Sequence, residues 1–563
     1  MNRLAKSVHP DDVLRRLARG HSSPRGALVH TGYRKPRDAQ QFVRLLIVAG
    51  LGLVTLIALA PALLGHTSLK VEGLAPDVAL GVDRMASLTV RITGKPISAL
   101  RKARVTLDGR ALPVVMEGDV LLWKPQKAGL TEGVHRLRVQ AGSRLLWRGP
   151  ASLTRRFSFD TTKPTLEVAP SAAYRPDQPV VVSGAVEPGS VVSVGGQATT
   201  VVGGRFETTF QTPPIGNLVV IATDAAGNKN TTITRVNVTL PDIRAVHVSS
   251  IAWATASLRN PVLKLAEEKK INAVQLDLKD ESGRVGHKSN IRLVNQIGAS
   301  QNLYKLTDAV AELHKRGLRV VGRIVVFRDP LLATVEWKLG GAGRDAVVQG
   351  PDGAPYKSTY GKVVFTNPAN RNVRDYNLAI TREAADAGVD DILFDYIRRP
   401  EGHIASLRFP GARGPVEDEI ISFLDEAALA LRNTKTRIGV SVFGIAAKNP
   451  EQIAQPVKAM AQTVDYIAPM VYPSHWSKGW YNVADPNAQP YDIVQRSLQD
   501  FQNQVKGTGA KVVPWLQDFS LGRDYGAKEL RQQIQAARDA AISGYLIWDP
   551  KVSYHGDGLP NKN

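Results

Sequence analysis

The sequence predicts an α/β protein in which one transmembrane helix and two β-sandwich domains precede a (β/α)8 TIM barrel. Three observations lead to this architecture. The uncharged stretch 45–65 is long enough to cross a bilayer as a helix. Short alternating segments broken by Gly and Pro fill 67–242, which is typical of sandwiches. Strands alternating with amphipathic stretches then fill 243–563, which is typical of a parallel α/β fold.

The N-terminal 44 residues form a basic tail. They hold ten Lys and Arg and three Asp, so their net charge is +7, a third of the net charge of +21 of the whole chain. Positive residues on the N-terminal side of an apolar span keep that side in the cytoplasm, so the later domains are expected to be extracellular. This predicts a single-pass protein of the cell membrane. Secretion after signal cleavage is the alternative, because 60–62 resembles a small-residue cleavage motif, but the tail is long for a signal peptide.

The composition excludes several kinds of chemistry. With no cysteine among 563 residues, disulfides, thiol nucleophiles and cysteine–zinc sites are excluded. A phosphate-binding glycine loop, a zinc helix motif and a Ser–His–Asp signature are also missing from the sequence. No cofactor and no metal are therefore expected. A nucleic-acid partner is not expected either, because the basic excess is concentrated in the tail and no basic strand is interleaved with aromatic residues.

Two modules are predicted between the membrane segment and the barrel, at 67–160 and 161–242. The segments 87–93 and 134–139 alternate in the first module, and 180–183 reads as a strand in the second. The run 222–228 resembles the strand-end turn of bacterial immunoglobulin-like repeats, where Gly and Asn adopt positive φ. Both modules are similar to immunoglobulin-like domains. We interpret them as a spacer, with glycan binding as the alternative.

Eight strands are predicted in the barrel region. They are 245–249, 273–279, 319–327, 391–396, 437–443, 465–472, 511–517 and 544–548. Amphipathic stretches such as 306–316 and 373–387 lie between them. The count of eight, and the polar residue at nearly every strand end, favour a barrel over a doubly wound sheet.

The fourth strand ends in a carboxylate, Asp395. Chemistry in such barrels is done at the carboxyl ends of the strands, so Asp395 is predicted to be catalytic. Glycosidic cleavage needs two carboxyl groups: one donates a proton to the leaving oxygen, and the other attacks the sugar carbon or activates water. Asp518, at the rim of strand seven, is the predicted partner. Glu401, Glu417 and Asp549 compete for that second role.

Further polar and aromatic residues near strand ends are predicted to bind substrate. They are Asp277, Lys279, Arg323, Arg398, Tyr472, His475, Trp515, Gln517 and Trp548. Asp277 and Lys279 share one face by strand alternation, and a strictly structural pair between them is the alternative. Arg323 needs an anionic partner, which Asp277 or Asp395 could supply. The aromatic residues combine flat apolar faces with polar edges, which suits stacking on sugar rings.

Four motifs, at 276–283, 394–398, 468–475 and 514–519, carry a family resemblance. They resemble a family of bacterial glycoside hydrolases whose domain is labelled as of unknown function and which is similar to other (β/α)8 glycosidases. The resemblance covers about 245–550 and implies a barrel that acts on a polysaccharide, with Asp395 as the best match to a catalytic position. Pairing strand four with strand seven resembles the large retaining glycosidase clan, which has Glu at both places. Arg399 stands where the family leads us to expect an aromatic residue.

The sequence therefore predicts a membrane-anchored extracellular glycoside hydrolase. Its expected partners are the membrane, through one N-terminal helix, and a cell-envelope or extracellular polysaccharide, which it would cleave by carboxylate acid/base chemistry. The alternative is a non-catalytic protein that binds glycan or scaffolds the envelope. The linkage, the stereochemical outcome and the oligomeric state are not determined by the sequence.

Overall fold

A computed structural model describes residues 67–125, 130–141 and 150–561. The chain divides into two compact units. Over the described residues, the first comprises 67–73, 89–124, 136–141 and 150–155, and the second comprises 74–88, 125, 130–135 and 156–561. The predicted tail and the predicted membrane segment 45–65 lie outside the described residues. Within the described ranges, no helix combines the length and the apolar character needed to span a bilayer.

The first unit is built from short antiparallel strands. One sheet has the strand order Ser68–Glu72, Val90–Lys95, Val120–Trp123, Val115–Glu117. Strand Arg104–Leu107 pairs with Arg110–Ala111 on one side and with the 137–140 part of Gly133–Ala141 on the other. A short helix, Ile97–Leu100, also belongs to this unit. Val90 and Ile92 are buried while Arg91 is exposed, so the predicted alternation of this region is observed.

In the second unit, residues 166–235 form two antiparallel sheets of four strands. One sheet has the order Leu166–Val168, Val180–Val186, Arg205–Phe210, Val201–Val202, and the other Gln197–Thr199, Val191–Val194, Asn217–Thr223, Lys229–Arg235. Val182 and Phe206 of one sheet share a core with Val192 and Val220 of the other, which is the arrangement of a β-sandwich. Smaller elements are Val78–Leu80, which pairs with Ala151–Phe159, Ala173–Tyr174, which pairs with Asn237–Val238, and helix Val82–Ser87.

The predicted eight-stranded barrel is confirmed. Its strands are β1 (Arg244–Val248), β2 (Ala273–Lys279), β3 (Arg319–Val325), β4 (Asp391–Asp395), β5 (Arg437–Phe443), β6 (Tyr466–Met470), β7 (Lys511–Val512 and Trp515–Gln517) and β8 (Tyr545–Trp548). Every neighbouring pair is parallel, and β8 pairs with β1, so the sheet closes. The interruption of β7 contains Pro514, which has no N–H to donate to a neighbouring strand.

Helices and turns follow the strands around the barrel. The α-helices are Ser250–Ala254, Ala256–Glu267, Arg292–Gln296, Leu306–Lys315, Pro330–Leu339, Arg371–Asp386, Val416–Ala430, Val457–Thr463, Pro490–Val505 and Ala527–Asp539. Short 3-10 turns lie at Gly341–Ala346, Ile404–Ser406, Gly444–Ala447, Pro450–Gln452, Pro473–His475, Trp480–Asn482 and Gly556–Gly558. Two further strands, Val285–His287 and Ser300–Tyr304, extend the sheet beside β2.

Helix Arg371–Asp386 illustrates why these segments are helical. The Asn370 side chain accepts a hydrogen bond from the Val373 backbone N–H at its start. Val373, Ile380 and Ala384 are buried at spacings that place them on one helical face. The helix therefore packs against the barrel with the face that its sequence period predicts.

The sandwich formed by residues up to 242 packs closely on the barrel of the same unit. Arg235 donates hydrogen bonds to the Ala461 and Val464 carbonyl oxygens, at 2.8 and 2.6 Å, at the end of helix Val457–Thr463. Ile215 belongs to the same hydrophobic core as the barrel helices. Gly216 has φ +70°, and a Cβ there would stand 2.4 Å from the Thr463 carbonyl oxygen, so the close approach requires glycine. This sandwich is thus a packed part of the barrel unit.

Candidate active site

A cavity of about 470 Å³ opens at the carboxyl ends of the barrel strands. This volume is typical of a binding site for a small ligand. Among the described residues, its charged lining residues are Glu281, Arg323 and Asp395. Much of the remaining wall is aromatic, formed by Tyr360, Tyr396, Phe443, Tyr472, His475, Trp476, Trp515 and Trp548.

Asp395 reaches the cavity because of the alternation of β4. Ile392 and Phe394 face the helices, while Leu393 faces the barrel interior, so Asp395 also points inward at the top of the strand. One carboxylate oxygen accepts from Arg323 Nε at 2.7 Å, and the other accepts from the Tyr396 backbone N–H at 2.7 Å. Tyr396 has φ +46°, a left-handed conformation that is uncommon for such a residue. The predicted placement of Asp395 at the cavity is therefore observed.

Arg323 is the cation that joins the acidic residues of this site. It is buried on β3 and donates to Asp395 and, at 3.1 Å, to Asp277; it also donates to Glu281. Burial lowers the pKa of the guanidinium, but Glu281, Asp395 and Asp277 outweigh that effect and raise it well above its ordinary value. Arg323 therefore remains charged. From the sequence, either Asp277 or Asp395 could be the anionic partner of Arg323. In the structure Arg323 binds both.

Glu281, in the loop after β2, is the second carboxylate of the cavity. Its side chain is 30% exposed, whereas that of Asp395 is 4% exposed. The same terminal nitrogen of Arg323 contacts both Glu281 and Asp395. Because both carboxylates contact that one nitrogen, their nearest oxygens lie at most about 6 Å apart. Burial raises the pKa of Glu281, but Arg323 more than compensates and holds it below its ordinary value.

Glu281 was missed by the sequence reasoning as a site residue. It lies within the motif 276–283 that carries the family resemblance, two residues after the predicted end of β2. Asp395 was predicted because it is an acid at the end of a strand. Glu281 has nearly the same position relative to β2, and this is the signal that identifies it.

Asp277 lies beneath the cavity and is not among its lining residues. Its carboxylate accepts from His247 Nε2 at 2.9 Å, Gln275 Nε2 at 3.1 Å and Arg323 at 3.1 Å. Burial raises the pKa of Asp277, but His247 and Arg323 outweigh it, so the pKa is strongly lowered. The predicted direct contact of Asp277 with substrate is not supported by this position.

Lys279 leaves the interior face that Asp277 occupies. The pairing of β2 with β3 shifts register between Asp277 and Lys279, which turns the lysine toward the helices. Its Nζ lies 2.8 Å from Asp329 and 2.8 Å from Asn377, with no exposed area. The structural pair between Asp277 and Lys279 considered from the sequence is therefore not formed. Nor does the structure bring Lys279 to the cavity as a substrate ligand.

Asp518 does not face Asp395. Both of its oxygens are bound by His555, through the backbone N–H and through Nδ1, each at 2.8 Å. Trp515 lines the cavity from β7, whereas Asp518 turns toward the C-terminal segment. Burial raises the pKa of Asp518 despite the opposing contacts of His555. The structure therefore does not bring Asp518 to the cavity that Asp395 lines, and the two do not form the predicted catalytic pair there.

The three competing acids are also away from the cavity. Glu401 accepts a hydrogen bond from the Thr359 backbone N–H, and Asp549 accepts from Lys551 N at 2.6 Å. Glu417 lies in the first turn of helix Val416–Ala430, where acids favour the helix dipole. None of the three is among the described residues that line the cavity.

The predicted aromatic wall is present. Tyr472, His475, Trp515 and Trp548 line the cavity. The rings of Trp515 and Trp548 lie 5.5 Å apart and nearly perpendicular. Trp515 donates from Nε1 to Ser441 at 3.0 Å, which fixes the ring in the wall. Burial raises the pKa of Tyr472 well above its ordinary value, so its hydroxyl remains protonated.

Gln517 and Arg398 support the wall rather than line it. The Gln517 side-chain oxygen accepts from the Ser474 backbone N–H and hydroxyl, at 3.1 and 2.8 Å, and so holds the loop that carries His475. Arg398 is buried, with its guanidinium 4.5 Å from the ring centroid of Phe443. The direct contacts with substrate that were predicted for both residues are therefore not supported.

Metal-ligating residue types do not gather at this site. Over the residues that the structure describes, no group of three or more His, Cys, Asp and Glu is arranged to hold a metal ion.

A family model matches residues 245–554, the region of the barrel and its cavity. The family is described as "Putative glycosyl hydrolase domain". The chain belongs to this family. Membership confirms the predicted family and the predicted class of enzyme, a glycoside hydrolase acting on carbohydrate. The match does not extend over 67–242, so the immunoglobulin-like character of that region stays a prediction.

The barrel is also similar to solved structures. It is similar to the glycoside hydrolase domain of PgaB (BpsB) from Bordetella bronchiseptica, with 15% identity over 55% of this chain and 95% of that chain and a TM-score of 0.39. The chain is similar to the α-galactosidase TtGalA from Thermus thermophilus, with 14% identity over 79% of this chain and 88% of that chain and a TM-score of 0.36.

A hypothetical protein from Ruminiclostridium thermocellum is 27% identical over 34% of this chain and 96% of that chain, with a TM-score of 0.31. No curated protein matches the sequence. The likenesses to these solved structures concern the fold alone and assign neither a substrate nor a residue role to this chain.

Proposed function

We propose that the protein hydrolyses a glycosidic bond in a cell-envelope or extracellular polysaccharide, with Asp395 and Glu281 as the two carboxyl groups. The observation that carries this proposal is their shared contact with one Arg323 nitrogen at the wall of an aromatic-lined cavity. Two carboxyl groups astride a bond are what acid/base cleavage of that bond requires.

Asp395 is the group suited to act on the sugar carbon. It is buried, and hydrogen bonds from Arg323 and the Tyr396 backbone N–H fix its orientation. A carboxylate whose orientation is fixed in this way is available as a nucleophile or as a base toward water. The spacing to Glu281 favours the nucleophile, because retaining enzymes separate their two carboxyl groups by only about 5–5.5 Å.

Glu281 is the group suited to protonate the leaving oxygen. It is the more exposed of the two and lies in a loop at the cavity. In the free protein Arg323 holds the pKa of Glu281 below its ordinary value, so the group is ionised at neutral pH. Entry of a sugar removes water from this side chain, which raises the proton affinity of a carboxylate. Substrate binding and protonation of Glu281 are therefore coupled in this proposal.

The cavity walls favour a sugar ring without an acidic substituent at the reacting position. Aromatic rings such as Trp515 and Trp548 offer flat faces to the apolar faces of a sugar. Asp277, Glu281 and Asp395 share the single cation Arg323, so a uronate entering here would face excess negative charge.

Anchoring in the cell membrane through 45–65, with the basic tail in the cytoplasm, remains part of the proposal. Its support is the uncharged stretch and the flanking positive charge. Residues 67–160 and 161–242 are proposed to be immunoglobulin-like modules between the membrane and the barrel, on the support of their alternating strands and paired sheets.

The test is incubation of the full chain, in detergent, with a panel of bacterial envelope and capsular polysaccharides, followed by measurement of new reducing ends. Wild-type protein is expected to cleave one class of polymer. Asp395→Asn and Glu281→Gln are expected to lose that cleavage, while Asp518→Asn keeps it.

Cleavage by Asp395→Asn at the wild-type rate would overturn the assignment. Binding of a polymer by wild type and Asp395→Asn alike, with cleavage by neither, would favour the non-catalytic alternative. The product of the wild-type reaction, followed by NMR before the anomers equilibrate, is expected to retain the configuration of the substrate.

A further inference from the structure

Asp277, with its hydrogen-bond partners His247 and Gln275, lies beneath the cavity and binds Arg323 from the side opposite to the proposed catalytic carboxylates. Asp277 accepts from Arg323 at 3.1 Å, and the same carboxylate accepts from His247 and Gln275. The Ser250 hydroxyl donates to the Asp277 backbone oxygen at 2.7 Å, which ties the strand itself in place. Asp277 is buried and, unlike Asp395, is not among the residues that line the cavity, so it lies out of reach of a substrate bound there.

We propose that Asp277 is a positioning residue: it fixes the guanidinium of Arg323 between the two reacting carboxyl groups and keeps Glu281 able to take up a proton. This inference rests on the proposed function, because it assigns a role relative to Glu281 and Asp395.

The hydrogen bonds of Asp277 fix the position of Arg323. Arg323 has donors for several acceptors, and three carboxylates compete for them. Asp277 cannot swing toward the cavity, because both of its oxygens are occupied by donors from β1, β2 and β3. Its position therefore determines how far Arg323 extends toward Asp395 and Glu281. A guanidinium is planar, so fixing one of its edges fixes the direction of the others.

The charge of Asp277 also affects the protonation of Glu281. Arg323 favours the ionised form of Glu281, and Asp277 opposes it as a nearby negative charge. A carboxyl group that must donate a proton needs this opposition, since one unopposed arginine would keep it ionised. The buried charge of Asp277 thus limits the effect of the cation on Glu281 without contacting the substrate.

The other titratable groups around this cluster come from several elements. They are His247 from β1, Asp395 from β4, Tyr396 after β4, Tyr472 after β6, Tyr304 beside β2 and Tyr554 from the C-terminal segment. Burial raises the pKa of each of these tyrosines, so they stay uncharged through the neutral range. The pKa of Glu281 therefore depends chiefly on its burial, on Arg323 and on Asp277.

His247 connects the same group to the sugar platform. Its ring stacks on Trp548 with centroids 3.9 Å apart, and Trp548 lines the cavity. Through Nε2 it also holds Asp277. The buried imidazole of His247 thus contacts both Asp277, the counter-charge of Arg323, and Trp548, a ring of the cavity wall.

The test is the pH profile of kcat/KM for polysaccharide cleavage by the full chain with Asp277→Asn. Removing the negative charge lowers the pKa of Glu281 further, and the acid form is lost at a lower pH. The alkaline limb is therefore expected to move by about one pH unit toward acid, which is a tenfold loss of rate on that limb. Asp277→Glu restores the charge and is expected to restore the position of the limb, with a reduced kcat because the longer side chain displaces Arg323.

Asp518→Asn is the matched control. Asp518 is also a buried carboxylate at the top of the barrel that is bound to a histidine, but it lies outside the cavity. Its removal is expected to leave both limbs in place. Thermal unfolding is measured in parallel for every variant, so that loss of folded protein is separated from a change in the profile.

A uniform loss of rate at every pH in Asp277→Asn, with the limbs unmoved, would mean a purely structural role and would overturn the inference. Where Asp277→Asn does not fold, Asp277→Glu decides, because wild-type kcat in that variant would show that the position of Arg323 does not matter. Failure of the proposed function itself is distinguishable, since Glu281→Gln and Asp395→Asn would then retain wild-type cleavage.

Discussion

Strands β3 and β4 carry the same ion pair twice, once at each end of the barrel. Arg319 and Asp391 pair at the amino ends, with Arg319 donating to an Asp391 oxygen at 3.0 Å. Arg323 and Asp395 pair four residues further along both strands, at 2.7 Å. The two pairs have the same residue types and the same spacing, and they differ in what surrounds them.

At the amino ends, charges are matched and the sandwich covers them. Arg437 of β5 pairs with Asp465 at 2.7 Å and also donates to the Pro213 carbonyl oxygen of the sandwich at 2.7 Å. At the carboxyl ends, one arginine faces three carboxylates beside a cavity. A buried ion pair in a barrel is therefore not by itself a sign of function. An excess of one charge next to open space is the stronger indication.

The largest effect should come from substituting the two aspartates of β4 in turn. Asp395→Asn is expected to reduce the rate of cleavage by about 1,000-fold, because a reacting carboxylate is lost. Asp391→Asn, its counterpart at the other end, is expected to keep the rate within about twofold. Initial rates of reducing-end release measure both. Equal losses in the two variants would mean that the ends of the barrel do not differ in function.

Breaking the amino-end network should instead reduce stability. Arg437→Met leaves Asp465 buried without its partner, and the free energy of unfolding is expected to fall by about 3 kcal/mol. Denaturant unfolding measures the change, and the pH profile of cleavage should keep its shape. A shifted profile with unchanged stability would show that this end takes part in the reaction.

A smaller effect is expected from the aromatic wall. Trp548→Ala removes a ring that lines the cavity and stacks on His247. Loss of one stacking face costs about 1.4 kcal/mol, which is a roughly tenfold rise in KM. Leu559→Ala, a buried substitution elsewhere, provides the comparison and is expected to change stability without raising KM. A fall in kcat alone in Trp548→Ala would contradict a role in binding.

The smallest effect should appear in the pH dependence of stability. His247 and Arg323 hold the pKa of Asp277 below its unfolded value, so its contribution to stability is present above about pH 4 and is lost as the pH falls further. Burial raises the pKa of Asp391 instead, so the contribution of this carboxyl group to the pH dependence of stability has the opposite sign. Between pH 7 and 3, wild type is expected to lose about 1 kcal/mol more stability than Asp277→Asn, measured by urea unfolding.

The sandwich next to the barrel shows a limit of prediction from local pattern. Its alternating strands were visible in the sequence, and a spacer was the natural interpretation. The contacts of Arg235 with Ala461 and of Gly216 with Thr463, each more than 200 positions later in the chain, are not encoded in that alternation. They depend on two surfaces that meet only after both parts have folded.

The sequence by itself determined the barrel, the position of Asp395 and much of the aromatic wall. All eight predicted strands lie within about two residues of the observed ones, because burial on both faces of a parallel strand leaves a local signal that ends where the strand ends. Asp395, Tyr472, Trp515 and Trp548 could be placed because each lies at or near such an end.

Only the tertiary structure decided which acid joins Asp395. The register shift after Asp277 turns Lys279 away, and the following loop brings Glu281 back to Arg323. Asp518 is withdrawn by His555, 37 residues later in the chain. Loop paths and long-range hydrogen bonds set these outcomes, and neither follows from the periodicity of a strand, because periodicity records which face is buried and not which distant group occupies that face.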